Sequence, residues 1–176
     1  MTLPLPWKKK EKPMAFENVF EIIEKHQQKA PVLVDALARD LGIKVYPTTL
    51  PDGIYGKLSR DPARGGESGY AIYVNSRNAE VRQRFTVAHE IAHFALHRDL
   101  MDSEIVDKTM YRSDLSSAYE TQANRLAAEV LMPSKLVRFE YSQAPVDKHL
   151  RASWLALKFK VSSAAMEIRL KSLGLN

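Results

Sequence analysis

A chain of 176 residues, 45% apolar and 27% charged, is long enough to form one domain, or one domain with a small appendage, around a real core. It has no cysteine, which excludes a disulfide framework, a thiolate metal site and a thiol nucleophile; any metal must be held by histidine and carboxylate. The net charge of +5 is uneven, with +3 in residues 1–13, +5 in residues 148–176 and −3 in the other 134 residues, and no stretch has the length of a membrane span or signal-peptide core, so the expected compartment is the cytoplasm, without a membrane partner.

Residues 1–13, with three prolines and a lysine cluster, read as a mobile basic tail. A helix follows, with Phe16, Val19, Phe20, Ile22 and Ile23 on one face. Pro31 suits the first turn of a second helix, which carries Val34, Leu37, Ala38 and Leu41 as its apolar stripe and Gly42 as its C-terminal cap. The segments IKVYP, GIYGKLSRD and GYAIYVN are short, rich in β-branched and aromatic residues, and bounded by Pro, Gly and Asn. They predict a small three-stranded antiparallel sheet, the third strand being the edge on which an extended substrate would add. From Ala79 to His97 the pattern is helical, with Phe85, Ala88, His89, Ala92, His93 and Leu96 in one stripe. Residues 99–117 are polar and read as a long excursion. A further helix, SAYETQANRLAAEVLMP, closes at Pro133, and residues 146–176 show two helical patterns joined at KVSS.

Three of the five histidines fall within RFTVAHEIAHFALH, residues 84–97. His89 and His93, four apart on a helix, point their imidazoles the same way, and both lie on the apolar stripe. Burying two imidazoles costs free energy unless every nitrogen finds a partner, and a metal ion with hydrogen-bond acceptors behind the rings satisfies all four. Glu90, rotated by about 100° from His89, is poorly placed as a third ligand on that face but well placed to act as general base toward a water at the metal. His97 lies about 12 Å along the helix axis from His89, so one ion cannot bind both; it reads as a helix-end histidine near the C-terminal dipole.

The third ligand is expected from the helix at 118–131. Ala123, Leu126, Ala127, Val130 and Leu131 form its buried face, and Glu120 and Asn124 share that face. A carboxylate there needs a partner, which makes Glu120 the expected ligand beside His89 and His93, with Asn124 orienting an imidazole. Glu129 falls on the opposite side and reads as solvated. Zinc suits these ligands best, with manganese as the alternative.

RFTVAHEIAHFALH followed by YETQANRLAAEVLMP resembles the ImmA/IrrE metallopeptidases, a zincin family of bacteria, phages and mobile elements. ALARDLGIKV and LALKFKVSSAAMEIRLKSLGL are similar to the family's opening and closing patterns, so the resemblance covers about residues 30–175. Leu126 departs from the phenylalanine frequent in the family, and the loop 98–119 is shorter and more polar. The resemblance implies zinc on His89, His93 and Glu120, with Glu90 catalytic. It implies an α+β fold whose zincin-like metallopeptidase core packs the small sheet on the HExxH helix, followed by a helix-turn-helix-like C-terminal pair. The expected organisation is a tail at 1–13, a zincin-like domain at 14–145 and C-terminal helices at 146–176 packed on it.

The resulting expectation is a zinc endopeptidase that cleaves or controls a partner helix-turn-helix repressor, derepressing stress, prophage or mobile-element genes. Two alternatives stand beside it: a toxin-like component bound by a helix-turn-helix antitoxin, and a DNA-binding regulator with a structural zinc. Arg169 and Lys171 in the last helix are compatible with phosphate contacts, but Leu155, Phe159, Val161, Met166 and Leu170 supply enough core for a helix pair that serves the substrate, and DNA binding is not favoured. Tyr111, Tyr119 and His149 are the candidates for stabilising an oxyanion.

Overall fold

The computed structural model describes residues 16–101 and 114–175. The expected tail at 1–13 and most of the polar excursion lie outside the described residues. In chain order the elements are α1 (Phe16–His26), α2 (Val34–Asp40), β1 (Lys44–Thr48), β2 (Gly56–Arg60), β3 (Tyr70–Asn75), α3 (Glu80–Met101), α4 (Asp114–Leu131), α5 (Ser134–Gln143), α6 (Lys148–Phe159) and α7 (Ser163–Ser172). This is an α+β fold with seven helices among the described residues.

Gly42 ends α2 as expected. Its φ of +70° lets its own N–H reach Arg39 O at 2.9 Å and the Ile43 N–H reach Ala38 O at 2.8 Å, a turn that satisfies two helix carbonyls and aims the chain into β1. Pro31, in contrast, lies ahead of α2: Leu33 is the N-cap, and its carbonyl accepts from Leu37 N–H at 3.0 Å.

The sheet is mixed, not antiparallel throughout. Its order is β1-β3-β2, with β3 antiparallel to β2 and parallel to β1. After β1 the chain crosses to the far edge to lay down β2, then returns to place β3 in the middle. Residue alternation reports which side chains face the core, and it carries no information about which strand lies next door. The nearly continuous burial of β3 fits its central position. With both neighbours occupied, β3 is not the edge for substrate; the outer strands are β1 and β2.

One face of the sheet packs on α3. Leu58, Ile72 and Val74 join Val87, Ile91 and Phe94 in a buried cluster that also takes in Leu37 and Leu41 of α2 and Leu155, Phe159 and Met166 of the C-terminal helices. The α3 helix is enclosed on several sides. Its core residues are Val87, Ala88, Ile91, Phe94 and Ala95, whereas Phe85, His89, His93 and Leu96 of the expected stripe are only half-buried. Against α3 runs α4, antiparallel, since His89 meets Asn124 while His97 meets Gln122. Ala88, Ala92 and Ala95 on α3 and Ala123 and Ala127 on α4 are all fully buried, and such small side chains let two helices approach closely.

The α5 helix was not foreseen. Pro133 does more than close α4: it is the N-cap of α5. At this junction Glu129 is half-buried, not solvated. It accepts from the Ser134 N–H and hydroxyl and pairs with Arg169 of α7, which also donates to Met132 O at 3.0 Å and to Ser134 Oγ at 3.0 Å. Arg169 is therefore spent on joining α7 to the α4–α5 corner. The remaining outward residues of α7 include Ala164, Glu167, Ile168 and Lys171, in which one acid offsets one base.

Candidate metal centre

The α3 helix carries His89 and His93 one turn apart on the side that faces Glu120 and Asn124 of α4. Their Nε2 atoms are 3.1 Å from each other. From α4, Glu120 brings Oε2 to 3.2 Å from His89 Nε2 and Oε1 to 3.2 Å from His93 Nε2. His89, His93 and Glu120 form a group whose ligand atoms lie within 4.8 Å of one another. The histidine side chains are 17% and 12% exposed and the glutamate 54%, so the group is reached by solvent from the glutamate side.

Each imidazole is held from behind. His89 Nδ1 is 3.1 Å from Asn124 Oδ1, an atom that can only accept, so Nδ1 carries the hydrogen and Nε2 its lone pair. His93 Nδ1 is 3.1 Å from His97 Nδ1, and His97 Nε2 is 3.1 Å from Gln122 Oε1. His97 is therefore not a helix-end residue. The α3 helix runs on to Met101, and His97 is 2% exposed, with the Tyr119 ring centroid 4.8 Å away. Of the other candidates for the oxyanion, Tyr111 and the side chain of His149 lie outside what is described.

These atoms fit a divalent cation. Two imidazole nitrogens and two carboxylate oxygens converge here, and a divalent cation between them would satisfy all four at once. Burial and then neighbouring His89 push the His93 imidazole down to about 4, against only partial support from Glu120, so at neutral pH no imidazolium offsets the carboxylate. With metal–nitrogen bonds of about 2.0–2.1 Å, the 3.1 Å nitrogen separation subtends about 100° at a shared ion, close to tetrahedral.

Glu90 lies beside this group on α3. It is 8% exposed, and burial pushes its carboxyl up to about 7; a hydrogen bond from the Leu58 backbone N–H opposes that rise, and Glu120 adds to it. Leu58 is on β2, where the backbone groups of residues 57 and 59, like Tyr55 just ahead of the strand, face β3 and residues 56 and 58 present theirs outward. Gly56 brings this strand close to α3: a Cβ there would stand 2.4 Å from Thr86 Cγ2, 2.9 Å from Tyr73 O and 3.7 Å from Glu90 Oε1.

The structure thus brings His89, Glu90, His93, Glu120 and Asn124 together at one site. Sequence reasoning missed Gln122 and the link from His97 to His93, although the i, i+4 spacing of His93 and His97 was its signal. It also missed Gly56 and Leu58, whose part rests on a backbone approach.

An α3 helix bearing HExxH, a backing helix with a facing carboxylate and a small sheet on the opposite side together define a zincin-like core. The sequence profile of the IrrE N-terminal-like domain, Peptidase_M78, matches residues 38–171, and the chain belongs to this peptidase family. The family implies a metal, and the group on α3 and α4 could hold one. Among relatives, the Radiation response metalloprotease IrrE of Deinococcus deserti is 41% identical over 70 residues, 39% of this chain and 24% of that protein. An uncharacterized immunity region protein 2 of Bacillus phage phi105 is 28% identical over 119 residues, 68% of each. A Mycobacterium tuberculosis transcriptional regulator of known structure superposes with a TM-score of 0.59 at 18% identity, over 88% of this chain and 46% of that one, a likeness of fold. The chain thus spans about a quarter of the Deinococcus protein and just under half of the mycobacterial one.

Proposed function

We propose that the protein is a zinc-dependent endopeptidase that acts on a partner transcriptional regulator of helix-turn-helix type. One observation carries the chemical half of this reading: the two imidazole nitrogens and two carboxylate oxygens of His89, His93 and Glu120 that converge beside a buried Glu90. Two imidazoles and a carboxylate are the ligand set of a catalytic zinc, and manganese is the alternative metal. Bound there, the ion supplies Lewis acidity toward the scissile carbonyl and the attacking water.

The residues of the chain supply the rest. Glu90, held high by burial, takes a proton from the attacking water and passes it to the leaving amine. With the Leu58 N–H engaged by Glu90, the outward backbone of β2 at Gly56 offers an edge to an extended substrate segment, which would hydrogen-bond to that strand as an added β-strand. Asn124 and the α4 backing keep the ligands in place while substrate enters.

The regulatory half draws on the relatives, whose names speak of a radiation response, an immunity region and transcriptional regulation. A repressor substrate suits them better than a free-standing toxin. DNA as the direct target has less support, because Arg169 is already engaged with Glu129, Ser134 and Met132. In this reading residues 14–145 make the catalytic unit and residues 146–176 buttress it, turning the exposed Leu150 and Leu157 of α6 toward a protein surface. The test is incubation with the repressor encoded beside it, with and without chelator. Chelator-sensitive cleavage, absent in Glu90→Gln, is the expected result; cleavage that survives both would refute the mechanism.

A further inference from the structure

His97 is among the most deeply buried polar residues described, at 2% exposure, and the proposed chemistry does not use it. A buried imidazole is tolerated when both nitrogens have partners. Here the partners differ in kind. Gln122 Oε1, 3.1 Å from His97 Nε2, is a carbonyl oxygen and can only accept, so His97 carries its hydrogen on Nε2. Its Nδ1 is then a bare lone pair, and the atom 3.1 Å away is His93 Nδ1. That contact is a hydrogen bond only if His93 donates. His93 must then hold its hydrogen on Nδ1 and expose a lone pair on Nε2, the atom facing Glu120 and His89.

We propose that His97 and Gln122 are positioning residues that fix the tautomer and ring orientation of His93, so that its Nε2 lone pair is committed to the ion site. The proposal rests on the ligand reading given above, and it concerns atoms that never touch the ion. The two ligand histidines are set by relays of different length. Asn124 reaches His89 directly, whereas Gln122 acts on His93 through one intervening ring. Both amides come from α4, the helix that also carries Glu120, so a single element brings the third ligand and the ends of both relays. His93 Nδ1 points along its own helix toward the next turn, where the side chain in reach is that of residue 97. One imidazole, that of His97, therefore links His93 to the amide of Gln122.

The decisive measurement is independent of catalysis. In metal-free protein with 15N-labelled imidazoles, long-range proton–nitrogen correlation at neutral pH should show His93 with its hydrogen on Nδ1 and His97 with its hydrogen on Nε2. In His97→Phe, which keeps the ring and removes the acceptor, the His93 Nδ1–H signal should give way to a mixture of tautomers. Zinc affinity, read by competition with a chromogenic chelator, should fall by about 10–100-fold, the usual cost of losing such a partner. His97→Asn, whose side-chain oxygen replaces the lost acceptor, should recover most of that loss, a rescue that a merely space-filling role would not give. Gln122→Leu, on the solvent side of α4, tests the far end without altering the core and should lower affinity in the same direction. The proposal is overturned if His93 in the wild type carries its hydrogen on Nε2, or if folded His97→Phe and Gln122→Leu bind zinc as tightly as wild type. Should wild-type protein bind no zinc, the ligand reading fails, and the tautomer spectra still decide whether the relay exists.

Discussion

Replacing Arg169 with alanine should loosen the attachment of α7 to the α4–α5 corner without touching the metal centre. The arginine side chain is 10% exposed and pairs with Glu129, Ser134 Oγ and Met132 O, the last belonging to a residue that is 2% exposed. A charge-assisted hydrogen bond contributes about 1.5–3 kcal/mol, and stranding one member of a fully buried pair costs about 3–5 kcal/mol. Glu129 is 41% exposed and keeps its bonds from Ser134, so the full penalty does not apply. The expected loss is about 2–3 kcal/mol, or about 4–12 °C in Tm for a chain of this size. The pH dependence has a definite sign. Burial raises the Glu129 carboxyl, but Ser134 and Arg169 together outweigh it and hold the group below its ordinary 4.5. A depressed folded pKa contributes stability that is fully present above the unfolded value and is lost as pH falls through the folded one. The gap between wild type and variant should thus be constant from neutral pH down to about 5 and narrow below 4.5. Urea unfolding across this range, with Lys171→Ala as an exposed control expected within about 0.5 kcal/mol of wild type, supplies the measurement. An Arg169→Ala variant as stable as the control, with sequence-specific DNA binding lost, would refute the reasoning and return α7 to the role of a DNA reader.

Glu90→Gln should retain metal and fold while losing cleavage by about 10²–10⁴-fold, checked by metal analysis beside single-turnover kinetics. Purified wild-type protein should contain close to one zinc per chain, largely lost in His93→Ala; unchanged content in Glu120→Ala would remove that carboxylate from the ligand set. Gly56→Ala should slow cleavage more than it weakens metal binding, because its methyl would collide with Thr86 and Tyr73 and push β2 away from Glu90. Equal activity in that variant would show that the close approach of β2 has no part in catalysis.

What the sequence by itself determined is the part that depends on spacing along one helix. Two histidines four apart must share a face, a glutamate next to one of them must be offset, and Gly42 after an apolar stripe must end a helix, whatever the surroundings. The motif in α4 could be joined to the motif in α3 because Glu120 lies on the same face as Ala123 and Ala127, and an inward carboxylate demands a partner. Tertiary structure alone decided which backbone lies beside which. It put β3 between β1 and β2, so the edge near Glu90 is β2, and it laid Arg169 over Glu129, 40 residues away, making a half-buried staple of a glutamate that read as solvated and an arginine that read as compatible with phosphate contacts. It also turned His97 inward. Helical periodicity gives the angle of a residue about its own axis, but α3 is enclosed on several sides, so that angle does not say which neighbour the side chain will meet. The partner of His97 is an amide on another helix, and only the antiparallel packing of α4 against α3 brings the two within 3.1 Å.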